Sequence, residues 1–248
     1  MLTKKLFAFI LLGLMVLASG QTASFAQNLY ARPSRVFLKG DEKENPDRPV
    51  PIREHFYPIG WSKDGKFAFL VEPPDEECGC YFAHFVIQDL KDDKILWEKK
   101  YDGDDQKKEN LQTFWKENQK EFSEQLAKHG IVAQQKFALQ RSVIKYQNDI
   151  FTPNLRDTTK ASDDLLYISG NVVLSLLSKQ KGKKTIYQRK FDPKEVAGFL
   201  GSEIGGSLVS PFEPRAVVLM VEMYRGWEGP PNTTRVRVVG ATLNGGFK

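Results

Sequence analysis

The chain has 248 residues, 36 basic and 31 acidic side chains, a formal charge of +5 and 12% aromatic residues. So mild a positive balance does not suggest a nucleic-acid partner, whose phosphates call for a concentrated basic face, and none is expected. The length and the aromatic bulk suffice for one large β domain or two small ones.

Lys4 and Lys5 precede an apolar run from Leu6 to Ala18, and small and polar residues then lead to Ser24-Phe25-Ala26. These are the three parts of an export signal, so residues 1–26 are expected to be a signal peptide cut after Ala26, with Gly20 as the second choice. The run of about 13 residues falls short of the roughly 20 that a spanning helix takes, so no transmembrane anchor is expected after cleavage. Leu17-Ala18-Ser19-Gly20 begins like a lipoprotein signal, but Gln21 stands where the lipid-bearing cysteine belongs. Without Lys4 and Lys5 the mature chain, starting at Gln27, carries +3. Its expected location is the periplasm or the cell exterior.

Residues 27–53 are charged and proline-rich around the short island Val36-Phe37-Leu38, which predicts an extended arm or linker. A β-rich domain is expected over 54–248. It opens with four antiparallel strands, 55–61, 66–72, 81–90 and 95–101, separated by the turn formers Asp64-Gly65, Pro73-Pro74-Asp75 and Asp92-Asp93. Leu111, Phe114, Trp115, Phe122 and Leu126 then share one helical face, predicting an amphipathic helix near 105–129 capped by Asp104 or Asp105 and closed by Gly130. Strand patterns return at 131–139, 143–146, 165–177, 185–191, 215–223 and 235–243. Residues 67–71 and 216–221 are apolar on both faces and are expected to form central strands covered on each side.

The turn Ser62-Lys63-Asp64-Gly65-Lys66 enters the strand Phe67-Ala68-Phe69-Leu70-Val71-Glu72, and Ser210-Pro211-Phe212-Glu213-Pro214-Arg215 enters Ala216-Val217-Val218-Leu219-Met220-Val221-Glu222. Each is followed by a variable loop and another strand, so two blade-like repeats are expected, near 55–101 and 205–247. The first copy resembles the blade signature of TolB-like β-propellers, and the C-terminal copy resembles a degenerate form of the same signature. Two copies are fewer than the four blades a closed propeller takes. The stretch from Ser210-Pro211-Phe212-Glu213 through Arg225-Gly226-Trp227-Glu228-Gly229-Pro230-Pro231 to Gly246-Phe247-Lys248 resembles a family of predicted secreted bacterial proteins without known activity. That resemblance implies export and brings no catalytic residue. The fold class is therefore mainly β: antiparallel meander sheets, propeller-blade-like or sandwiched, with one amphipathic helix outside.

Cys78-Gly79-Cys80 holds both cysteines, and in an oxidising compartment they can form a disulfide. Fully extended, their Cα atoms would stand about 6.6 Å apart, near the upper limit for such a bond. If strand alternation runs on through Phe82, Cys78, Cys80 and His84 share a face, and a soft metal ion is the one cofactor that this set admits. Arg225, Trp227 and Glu228 gather an aromatic and two opposite charges in one turn-rich loop, a set able to recognise a protein or a cell-envelope ligand, while the plainer expectation is a Trp227 folded back to cover a sheet edge between two strands. Seven basic residues between 179 and 194, turning near Gly182, read as a charged edge hairpin that discourages sheet-to-sheet association.

Enzyme motifs are incomplete. Gly205-Gly206-Ser207-Leu208-Val209 lacks the final glycine of a nucleophile elbow, and Ser142-Val143-Ile144-Lys145 lacks the companions of a serine–lysine site. His55, His84 and His129 stand apart in the sequence. The expectation is an exported binding or interaction module with no catalytic residues. A metal or thiol protein built on Cys78 and Cys80 is the alternative, and a hydrolase of unrecognised type is the third reading, to be favoured if a cleft holds buried, convergent carboxylates with shifted pKa values.

Overall fold

Thirteen strands and two helices succeed one another through the residues that the computed structural model describes, 31–41, 51–76, 78–103, 109–162, 167–196 and 198–248. The expected signal segment and its cleavage point lie outside the described residues, as do Asp104 and Asp105. Residues Arg32–Lys248 form a single unit. Its strands are β1 (His55–Trp61), β2 (Lys66–Glu72), β3 (Ala83–Asp89), β4 (Lys94–Tyr101), β5 (Val132–Ala133), β6 (Ile144–Tyr146), β7 (Asp149–Asp157), β8 (Lys160–Ala161), β9 (Tyr167–Ser178), β10 (Gly182–Val196), β11 (Phe199–Val209), β12 (Arg215–Tyr224) and β13 (Thr233–Thr242). The helices are α1 (Leu111–Glu117) and α2 (Gln119–Lys128).

The strands make three antiparallel sheets rather than two. The N-terminal sheet runs β4-β3-β2-β1-β5, another runs β10-β9-β7-β6 with β8 beside β9, and the C-terminal sheet runs β11-β12-β13. The C-terminal sheet is the middle layer. Val217, Leu219, Val221 and Val238 meet Phe67, Phe69, Val71 and Val86 of the N-terminal sheet on one side. On the other side Ala216, Val218, Val239 and Ala241 meet Ile144, Phe151, Leu174 and Leu176 of the sheet built on β9. That is why β12 reads as apolar at every position from 216 to 221: odd residues face one sheet and even residues the other. The outer face of the N-terminal sheet is covered by the helices, with Phe85 4.6 Å from Phe122 and 6.0 Å from Trp115, ring centre to ring centre.

The two meanders close their turns alike. Ser62 N donates to Lys66 O and Ser210 N to Arg215 O, and the end of a neighbouring strand is tied back by Leu90 N to Gly65 O and Leu243 N to Pro214 O, each 2.8 Å. The sheets do not close into a barrel.

Three local expectations differ from what forms. The single helix is broken at Asn118, whose Nδ2 donates to Phe114 O and whose backbone leaves the helical region at φ −100°, ψ 7°. The cap is Asn110, whose Oδ1 accepts from Gln112 N and Thr113 N at 2.9 and 3.1 Å. Asn110→Ala is expected to lower stability by about 1 kcal/mol in urea unfolding. Of the strand expected at 131–139 only Val132–Ala133 forms, beside β1.

Strands β7 and β11 have no counterpart among the expected strands, because Pro153 interrupts one and Gly201, Gly205 and Gly206 the other. The glycines have a packing reason. A Cβ on Gly206 would fall 2.7 Å from Leu139 Cδ1, and one on Gly205 2.9 Å from Val221 Cγ2, so bare backbone lets the core close over β11. The described parts of the expected arm are held in place. Val36 bridges to Phe56, Leu38 is 1% exposed within the core, and Ile52 bridges in parallel to Thr233.

Candidate functional site

Two loops meet at one end of the meanders. The loop after β12 is anchored by Arg225 N donating to Gly198 O at 2.7 Å, and by Ile52 N donating to Asn232 O at 2.8 Å. Within it Trp227 N donates to Glu76 Oε2 at 2.6 Å, a bond that crosses to the loop after β2. With its backbone so held, the Trp227 side chain is 81% exposed. Arg225 and Glu228 on either side are exposed too. The structure thus brings together the three residues that the sequence singled out, and it adds Glu76, whose part no sequence spacing announces.

The neighbouring loop carries the cysteines. Cys78 and Cys80 are bonded to each other with Cα atoms 5.0 Å apart, shorter than the extended estimate because Gly79 takes φ +64° and folds the chain back. Cys78 N donates to Asp75 Oδ1 at 3.1 Å. Strand alternation begins only at Ala83, so it does not carry the sulfurs onto the face of His84. The imidazole instead places Nε2 2.8 Å from Glu98 Oε2 on β4, and burial holds its pKa below the ordinary value against the pull of that carboxylate. Among the described residues no group of three His, Cys, Asp or Glu side chains is arranged to hold a metal.

His55 is not isolated in space. Its Nδ1 lies 3.2 Å from Glu72 Oε2, which also accepts from the Tyr57 hydroxyl. Burial works against the Glu72 charge, but these partners win and keep its pKa low. Burial and the Glu72 charge raise both Tyr57 and Tyr81 well above the usual phenol range.

A cleft of about 320 Å³ runs along the free edge of β13, between the N-terminal sheet and the side chains of β10 and β12. Among the described residues that edge has no fourth strand beyond the Ile52 bridge at Thr233, and side chains from residues flanking or within the N-terminal sheet stand in for one. Val236 N donates to Glu54 Oε2, Gln88 Nε2 donates to Val238 O at 3.0 Å, and Gly240 N donates to Asp93 Oδ1 at 2.7 Å. Buried edge amides and carbonyls are satisfied in this way without a strand partner. Burial pushes the Glu54 carboxyl up to about 7 and the Asp93 carboxyl up to about 6, outweighing the amides that bind them. Deeper in, Glu222 is 3% exposed and accepts from Arg237 Nε and Nη2 at 2.6 and 3.2 Å and from the Tyr224 hydroxyl at 2.8 Å. Arg237 lies over the Tyr187 ring, and Arg235 over that of Tyr224. Carboxyls near neutrality are what acid–base chemistry uses, yet Glu54 and Asp93 each bind a β13 amide, so their first role here is to seal the edge.

Sequence reasoning passed over this cleft. One signal was available: Glu222 is an acid inside an otherwise apolar central strand, and such a residue needs a buried cation. The basic hairpin is partly committed as well. Lys181 Nζ donates to Leu243 O, and Lys184 Nζ to Thr242 O and Gly245 O, so two of its charges fasten the segment after β13. No family model, no curated protein and no solved structure matches the chain.

Proposed function

We propose that the chain is an exported binding module whose loop from Arg225 to Pro231 engages a protein or cell-envelope ligand, with Trp227 as the anchor. The observation that carries the reading is an indole left 81% exposed while its own backbone is fastened to Glu76 of the adjacent loop. An exposed aromatic on a fastened backbone, beside an arginine, spares the loop's backbone ordering cost on binding, and such residues dominate interface energies. Export rests on the three-part N-terminal pattern through Ala26. Trp227 contributes little to the core, so Trp227→Ala is expected to melt within about 1 °C of the parent.

A photoreactive side chain at position 227 of the exported chain is expected to give a dominant cross-linked adduct in intact cells. The same group at exposed Glu124 serves as the control. Equal labelling from both positions, or a Trp227→Ala chain that fails to fold, would end this reading. A metal or thiol function has less support. The two sulfurs are joined, and His84 is occupied by Glu98.

A further inference from the structure

We infer that the cleft along β13 is a second, separate binding site for a small amphipathic anion, a carboxylate on an apolar body. One wall is apolar, formed by Phe69, Val71, Val86, Val236 and Val238, and Ile95 stands 48% exposed at its rim. The opposite wall carries two arginines in different states. Arg237 is saturated by the two Glu222 oxygens. The Arg235 guanidinium is presented over the Tyr224 ring at 4.9 Å, with Glu54 as the carboxyl its charge acts on, and its side chain makes no hydrogen bond or ion pair among the described residues. Its guanidinium is pre-set by the ring and keeps a planar donor face free, the geometry that takes a carboxylate in two parallel hydrogen bonds.

Size and charge fit the same ligand. A volume of about 320 Å³ accommodates about ten non-hydrogen atoms at ~30 Å³ each, which is a short-chain carboxylate and not a polymer. With Glu222 and Arg237 cancelling and Glu98 beside His84, the remaining charge is set by Arg235, Glu54 and Asp93, with Asp92 next to Asp93. Glu54 and Asp93 are held toward the neutral form by burial, which leaves the cleft positive at mildly acid pH. The Tyr187 and Tyr224 hydroxyls, raised by burial, stay uncharged throughout. The site is independent of the Trp227 loop, and either can fail without the other.

Octanoate is the probe, with octan-1-ol and octylammonium as neutral and cationic comparisons. In an NMR titration of the mature chain, octanoate is expected to shift the Val236 and Val238 amides saturably, with Kd near or below about 1 mM. Affinity is expected to fall as pH rises from about 5.5 to about 8, because Glu54 and Asp93 gain charge over that range. Arg235→Gln is expected to weaken octanoate about tenfold and to leave octan-1-ol unchanged. Because Ile95 is on an exposed edge strand, Ile95→Glu gives a second folded variant, expected to weaken octanoate through repulsion at the rim. Absence of saturable shifts at about 10 mM octanoate, equal affinity for the three probes, or indifference to Arg235→Gln would each overturn the inference.

Discussion

Glu222→Ala is expected to cost about 2 kcal/mol of unfolding free energy, measured in urea, less than a fully buried pair would cost because the Arg237 side chain keeps 39% of its surface in water. The loss comes from what the truncation leaves behind. Arg237, held above its ordinary pKa by Glu222 despite the opposing effect of burial, would keep its charge with no carboxylate beside it. The Tyr224 hydroxyl would lose its acceptor as well. Replacing both ends of the pair, with Glu222→Leu and Arg237→Met together, is expected to recover most of the loss, since an apolar pair of similar volume leaves no orphaned charge. A single substitution costing less than about 1 kcal/mol would mean that water reaches the guanidinium freely.

Glu54→Gln is expected to raise stability above neutral pH and to flatten its pH dependence. The Glu54 carboxyl is pushed from an ordinary 4.5 to about 7 by burial. The folded state therefore holds a proton that the unfolded state gives up. The stabilisation from this group is complete below about 4.5 and is lost as pH rises through about 7, with a total on the order of 3 kcal/mol. Glutamine keeps an oxygen for the Val236 amide and has no charge to bury. The difference in unfolding free energy between parent and variant, followed from pH 4 to pH 9, is expected to grow through that window and then level off. A difference that stays constant with pH would show that Glu54 titrates alike in the folded and unfolded chain. Asp93, raised to about 6 by burial, should add a smaller slope of the same sign in the parent.

Much of the fold was legible because its central strands have no polar side. The pattern of β2 and β12 announced coverage on both faces, and the structure shows the helices and two sheets that supply it. The first meander was legible strand by strand, since Asp64-Gly65 and Asp92-Asp93 mark its turns. What the sequence concealed was the third sheet. β11 carries glycines for the close approach of Leu38 and Leu139, and β7 carries a proline, so both resemble loops when read alone. The exposed trio around Trp227 could be found because a loop keeps its neighbours in sequence together. The β13 cleft could not, because Glu54, Asp93, Glu222 and Arg235 come from four separate stretches of chain and meet only through sheet stacking.

The layer shared by both outer sheets is written into residues 199–248, after everything that packs against it. While those residues are still being made, Phe67, Phe69 and Val86 lack their main opposite wall, and so do Leu174 and Leu176. Long-range contacts of this kind cannot form piecemeal, and their closure comes late. A nascent chain built in this order stays unfinished until residues 199–248 have been made. A chain that must thread a membrane pore before it folds has the same need.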